Sequence, residues 1–244
     1  MKAFLLAGGL GTRMGAITRD TPKCLLPVAG RPLLGRWFAH LAHHGVDAVL
    51  VNTHHLAEQV RDYAATSKPP LTVVLAHEPE LLGSGGTLAA NRDFVRGEDV
   101  FLVIYADNAS TVDVSALARA HRPGDAATLG LFRVEDPSAC GVVEIDAAGR
   151  VLDFVEKPRR PRSDLAWAGL LVGTPDLLDA VPECRPCDLG RDVLPGLRSR
   201  MRAIEVEGYH LDIGTPERYR RTCADFERME AANGAARRRR SPRR

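Results

Sequence analysis

The hydrophobic positions of the first hundred residues come in short continuous blocks rather than in strict alternation. Apolar, β-prone runs at 2–7, 48–52, 71–76 and 100–105 are separated by stretches at 33–44, 57–66 and 87–95 with helical patterning. Strands that read as unbroken apolar runs are those covered on both faces. The order therefore predicts βαβ units: an α/β fold with a Rossmann-like mixed, mainly parallel sheet flanked by helices. Pro32 stands near the start of the first helix, and Gly45 follows His44 where a left-handed cap belongs.

The second half is more broken. A strand is expected at 127–134, a hairpin at 141–145 and 151–155 around the turn Asp146-Ala-Ala-Gly149, and a strand at 168–172 after a loop rich in Pro and Arg. A helix at 189–200, interrupted at Pro195, a strand at 203–207 and a final helix at 216–230 complete the reading. There is no internal repeat, and no linker before Asn233 is long enough to divide the chain. One domain is expected over residues 1–232, with a basic tail at 233–244.

Composition changes this picture in three places. The net charge of +2 depends on the last eight residues, which hold six arginines; removing those six charges from +2 leaves −4 for a mildly acidic body. "RRRRSPRR" reads as a separate tail, disordered in solution, with no specific partner, and the body carries no nucleic-acid motif. Five scattered cysteines and no exporting leader suit a reducing cytoplasm, and Cys184-Arg-Pro-Cys187 has no second pair to complete a zinc site. No apolar run approaches the roughly 20 residues of a membrane span. The adjacent pairs His43-His44 and His54-His55 point apart and form no chelate alone, while His77 and His210 fall nearer the expected pocket.

The candidate chemistry begins directly after the first strand, in "GGLGTRMGAITRDTPK", Gly8 to Lys23. Glycines there let backbone N–H groups approach an anionic oxygen. Gly15 is followed by Ala16 and Ile17 with no lysine, so this is not a Walker loop; position 14 is Met, which breaks the dinucleotide fingerprint. Arg13 and Lys23 add two fixed positive charges, an arrangement suited to a triphosphate attacked at its α-phosphorus.

At greater length, "LAGGLGTRMGAITRDTPKCLLPVAGRPLL" resembles the signature of sugar-1-phosphate nucleotidyltransferases, also called nucleotide-sugar pyrophosphorylases. The resemblance runs to about Arg220. It implies a fold of the nucleotide-diphospho-sugar transferase type, with the hairpin in a small sugar-binding portion, and in-line displacement at phosphorus assisted by Mg2+. It further implies nucleotide contacts from Leu6, Ala7, Gly8, Gly9, Gly11, Thr12, Arg13 and Lys23. In "FLVIYADN" it implies a metal-binding Asp107, at a strand's carboxyl end, and in "GYHLDIGTPERY" a second metal ligand, Asp212. Arg13, Lys23, Asp107 and Asp212 are thus the expected catalytic set.

"LLGSGGTLAAN" resembles the loop that makes room for base and ribose, which assigns Gly85 and Gly86 to the nucleotide; Ser84 reads equally as a helix cap. "FVEKP" resembles the motif in which Glu156 holds sugar hydroxyls and Lys157 neutralises the sugar phosphate. Gly141 and Trp167 fall at sugar-pocket positions where relatives often carry Tyr-Gly and Asn; here Cys140 and Trp167 depart from that pattern. Trp167 reads either as a packing aromatic or as a wall for an unusual sugar or cyclitol. The chain looks most like compact guanylyltransferases of mannose or heptose 1-phosphate. Uridylyl- and thymidylyltransferases of glucose 1-phosphate share the motifs, and a non-catalytic nucleotide-binding subunit is the reading from another class. The implied partners are a nucleoside triphosphate and a sugar 1-phosphate, without membrane or nucleic acid, and self-association is left open.

Overall fold

The computed structural model describes residues 1–183 and 185–240, the last six as helix backbone. In chain order the elements are β1 (Lys2–Leu6), β2 (Pro27–Val28), β3 (Arg31–Pro32), α1 (Leu33–His43), β4 (Ala48–Thr53), α2 (Ala57–Thr66), β5 (Thr72–His77), α3 (Gly83–Ala90), β6 (Phe101–Tyr105) and β7 (Asn108–Ser110). Then come α4 (Val114–Ala120), β8 (Ala127–Arg133), β9 (Gly141–Ile145), β10 (Val151–Glu156), β11 (Leu165–Gly173), α5 (Pro175–Asp179), α6 (Leu194–Leu197), β12 (Met201–Glu205), β13 (His210–Asp212) and α7 (Pro216–Arg240).

Among the described residues, one 9-stranded sheet runs β10-β9-β11-β6-β1-β4-β5, with β8 and β12 joined beyond β11. Strands β6, β1, β4 and β5 are mutually parallel, and β11 turns antiparallel against β6. The apolar runs are continuous because both faces are covered. Along β1, Ala3 and Leu5 pack under α1 with Trp37, Phe38 and Leu41, while Phe4 points the other way against Phe101 and Leu88. Each fully buried side chain of this size contributes about 1.5–3 kcal/mol.

The chain builds β1, β4 and β5 to one side and then returns to place β6 on the other side of β1. Such a reversal opens a crevice at the carboxyl ends of the strands, where ligands of open α/β sheets bind. The glycine loop, Asn52, Glu78 and Asp107 all follow or end those strands.

The expected hairpin forms, with the Asp146 carbonyl accepting from Gly149 N at 3.0 Å, and Gly45 takes φ 76° at the end of α1. Several boundaries differ. Helix α3 begins at Gly83 rather than 87, because Thr87 and its neighbours pack against Glu78 and the loop around Cys187. Strand β11 begins at Leu165, paired to Arg133, and the expected helix at 189–200 is a chain of short turns around Pro195. Helix α7 continues through Arg240, across residues 233–240 of the basic run, as suits good helix formers such as Ala and Arg, and residues 241–244 of that run lie outside the described residues.

Candidate active site

Two three-residue strands assemble the acidic end of the site. β7 and β13 pair antiparallel with Asn108 opposite Asp212, and Ile213 N donates to Asp107 O at 3.0 Å, so the two aspartates become neighbours across about a hundred residues of sequence. Trp37 Nε1 donates to Asn108 O at 2.8 Å and anchors this pair to α1. Lys23, on a turn after the glycine loop, donates from Nζ to Asp107 Oδ2 at 2.7 Å and lies 3.2 Å from Asp212 Oδ1. Arg218 takes the other Asp212 oxygen, Oδ2, at 3.2 Å. Arg13 is exposed, and its Nη2 rests against Gly214, on the same side as the Asp212 carboxylate.

The glycine loop forms the adjoining wall. Ala7 N and Gly8 N both donate to Asn52 Oδ1, at 2.7 and 3.2 Å. A Cβ on Gly8 would fall 2.6 Å from Asn52 Nδ2, so only glycine allows this approach, and Gly11 adopts the left-handed conformation at φ 66°. Leu6, Ala7, Gly8, Gly9, Lys23 and Asp107 line one cleft of about 440 Å³. Thr12 lies exposed just beyond, in the turn that carries Arg13.

Gly85 and Gly86 sit behind the wall rather than in it. Both are buried, and their N–H groups donate to Cys187 O at 2.9 and 3.2 Å, which removes them as free donors; Leu81, Gly83 and Ser84 line the cleft in their place. The segment carrying Cys187 also brings Pro186, Asp188 and Arg191 to the cleft. Ser84 donates to Asp188 Oδ2 at 3.0 Å, joining the two segments.

Sequence reasoning missed the group that joins these walls. Glu78 is 3% exposed, its Oε1 accepts from Thr87 Oγ1 at 2.6 Å and from Asn52 Nδ2 at 3.0 Å, and its Oε2 accepts from Leu82 N at 3.2 Å. A buried carboxylate survives only with such partners. The run "HEP" carries no signal of this network; the unbroken apolar run of β4 ending in a polar Asn52 is the one available hint.

The expected sugar groups gather at a second end. Gly141 and Gly190 lack side chains where the Glu156 carboxylate lies, 2.9 and 2.8 Å from the positions of their absent Cβ atoms, and Asp188 borders the same space. Lys157 Nζ is 3.5 Å from Glu156 Oε1 and is mostly exposed. Burial raises the Glu156 carboxyl above its ordinary value, partly offset by the Lys157 charge. Ionising Glu156 therefore costs stability: the favourable contribution of its protonated form is full below pH 4.5 and is lost as pH rises through the raised folded value. We expect Glu156→Gln to melt higher than the parent near pH 7, with the gap closing as pH falls below 4.5, in thermal unfolding read by circular dichroism.

Trp167 is packing, not an open wall. It is 9% exposed, donates from Nε1 to Leu170 O at 3.0 Å, and sets its edge against Tyr105 at 5.2 Å, so it braces a cleft residue from behind. Burial pushes the Cys24 thiol up to about 12, which disfavours the thiolate a nucleophile would need. His210 is partly buried with Nε2 2.7 Å from Ala168 O, and desolvation lowers its pKa to about 4, which favours the neutral imidazole near pH 7. His77 pairs with Thr53 at the end of β5. Among the described residues no cluster of three or more His, Cys, Asp or Glu is arranged to hold a metal; Cys184 lies outside them. No helix among them is long and apolar enough to cross a membrane.

The residues nonetheless fit a hard divalent cation that takes part of its shell from substrate. Two carboxylates, 38% and 27% exposed, already share one positive charge, the Lys23 ammonium, and carboxylate oxygens with phosphate and water are the set Mg2+ prefers.

A glycine loop beside paired carboxylates at the switch point of an α/β sheet is the arrangement expected of a nucleotidyl-transfer site. Residues 2–228 match the family described as nucleotidyl transferase, and the chain belongs to that family, among the sugar-1-phosphate nucleotidyltransferases. It is 33% identical over 241 residues to a mannose-1-phosphate guanylyltransferase of Mycobacterium tuberculosis, covering 96% of this chain and 67% of the relative. It is 30% identical to the catalytic subunit beta of the Xenopus tropicalis mannose-1-phosphate guanylyltransferase, covering 89% of this chain and 62% of that one. The chain thus spans about two thirds of the length of these relatives. The crystal structure of HddC from Yersinia pseudotuberculosis complexed with GMP-PN superposes with a TM-score of 0.79 at 26% identity, over 92% of this chain and 99% of the other.

Proposed function

We propose that this chain transfers a nucleotidyl group from a nucleoside triphosphate, GTP before UTP or dTTP, to a sugar 1-phosphate of mannose or heptose type, releasing pyrophosphate. The observation that carries the proposal is the meeting of Asp107 and Asp212 on Lys23 Nζ beside the glycine loop. The names of the relatives support the guanine and mannose assignments. The thiols of Cys24, Cys140 and Cys223 are free, which suits a reducing cytoplasm.

In this reading the glycine loop and Arg13 hold the triphosphate, and Lys23 and Arg13 neutralise its phosphates. Glu156 orients the sugar hydroxyls, and Lys157 holds the sugar phosphate. An oxygen of that phosphate attacks the α-phosphorus in line, forming one P–O bond as the bond to pyrophosphate breaks, and the negative charge leaves with the pyrophosphate. Asp107 and Asp212 would hold a bound Mg2+, which would supply charge neutralisation at the α-phosphate and leaving group. All four expected catalytic residues are present, which favours an enzyme over a binding-only subunit.

Pyrophosphate release measured across GTP, UTP, dTTP and ATP paired with mannose, heptose and glucose 1-phosphates tests the proposal. The expected optimum is GTP with mannose or heptose 1-phosphate. Faster turnover of UTP or dTTP with glucose 1-phosphate would replace those substrates, and tight nucleotide binding without turnover of any pair would replace the enzyme with a binding subunit.

A further inference from the structure

Asp188 is a carboxylate at the seam between the two ends of the site, and it takes no part in the mechanism above. It opens the short turns that lead into α6, where its backbone N donates to Asp192 Oδ2 at 2.7 Å. Its Oδ2 accepts from Ser84 Oγ and its Oδ1 from Arg191 N, each at 3.0 Å. Ser84 Oγ in turn accepts from Leu189 N at 2.8 Å, so the hydroxyl that holds the carboxylate is itself held. Backbone and both carboxylate oxygens are fixed before a ligand arrives.

These contacts occupy one lone pair on each oxygen and leave each another, and Asp188 lines the cleft. Asp188 Oδ1 and Glu156 Oε2 lie 3.4 and 2.8 Å from the point where a Gly190 Cβ would stand, so the two carboxylates converge on a residue with no side chain to separate them. The adjacent Arg191 guanidinium is bound by Asp192, with Nε on Oδ1 and Nη2 on Oδ2, each at 2.9 Å. Among the described residues the hydrogen-bond donors to the Asp188 carboxylate are thus a hydroxyl and an amide, both uncharged. Two anions held side by side repel phosphate and call for neutral donors. A sugar ring offers them as neighbouring O–H groups.

We propose that Asp188 is a second acceptor for the hydroxyls of the sugar 1-phosphate, taking one O–H while Glu156 takes another of the same ring. This rests on the sugar reading of Glu156 above. A hydroxyl donating to a carboxylate makes a charge-assisted bond, stronger than one between neutral groups. A site built around such an acceptor rejects an analogue that lacks the O–H more sharply than an apolar pocket rejects a change of size. Asp188 is therefore a specificity residue: it selects the sugar by its hydroxyls and leaves the phosphates to the cations.

Asp188→Asn keeps the shape, can still accept from Arg191 N and can donate to Ser84 Oγ, but it loses the charge and one acceptor. The test compares it with the parent on the best sugar 1-phosphate from the screen and on each monodeoxy analogue of that sugar. We expect one analogue to lose about 10- to 100-fold in kcat/KM in the parent and less than about twofold in Asp188→Asn, the mark of a hydroxyl bound by that carboxylate. KM for the triphosphate should move by less than about twofold. Glu156→Gln, run alongside, should erase discrimination at a different hydroxyl. If it does so while Asp188→Asn erases none, the sugar reading stands and the assignment of Asp188 falls. Coupling to a ribose hydroxyl instead, read with deoxyribonucleoside triphosphates, would also overturn it, and no coupling in either variant would end both readings. Should no pair turn over in the parent, the functional reading fails by itself, and calorimetric titration with mannose 1-phosphate decides Asp188: equal affinity in parent and Asn variant, or binding to neither, overturns it. Thermal midpoints report whether the variant folds, and Asp188→Ser carries the same test if the Asn variant does not.

Discussion

Asp107→Asn and Asp212→Asn should each lower Mg2+-dependent turnover by at least about 100-fold, the loss typical of removing a key electrostatic group from a reacting centre. Each change keeps the size of the side chain and removes one negative charge from a pair that shares Lys23 at 2.7 and 3.2 Å. The fold should be almost indifferent, since partly exposed ion pairs contribute about 0–1 kcal/mol. The double variant should be little worse than either single one, because two ligands of one ion act as a unit. Pyrophosphate release and circular dichroism on the same preparations check both halves, and a loss below about tenfold would withdraw the assigned role.

The opposite profile, stability lost before chemistry, is expected at Asn52. Its side chain accepts from Ala7 N and Gly8 N and donates to Glu78 Oε1, with Thr87 Oγ1 at 3.3 Å. Asn52→Leu keeps the volume but leaves two loop amides and the buried Glu78 carboxylate short of partners, a loss of about 2–5 kcal/mol. Asn52→Asp should be at least as damaging, because it sets a second carboxylate against Glu78 and can no longer donate. Denaturant unfolding should show a lower midpoint at unchanged slope, and nucleotide binding should weaken as the loop loses its anchor.

Contiguous features were legible in the sequence. The glycine loop, the apolar strands and the hairpin around Asp146 each declare themselves within a dozen residues, and the parallel order follows from strands covered on both faces. Asp107 and Asp212 were nameable from the resemblance, but β7 and β13 are too short to carry a period, so nothing local says that they pair. The contacts around Glu78 join the ends of β4 and β5 to α3, and no window along the chain contains them. Gly85 and Gly86 mark a related limit: a glycine pattern shows that backbone comes close to something, not whether the neighbour is a ligand or, as here, the carbonyl of Cys187. Trp167 could be read two ways from sequence, and only its burial against Tyr105 decides for packing.

The placement of Asp212 on β13 also sets an order of events during synthesis. Among the described residues the last strand of the large sheet ends at Glu205, so a nascent chain that has emerged only that far already holds all nine of its strands and the glycine loop. It does not yet hold the second carboxylate. Because domains form from the amino terminus as the ribosome delivers them, the proposed nucleotide cleft takes shape before β13 brings the proposed second metal ligand to it.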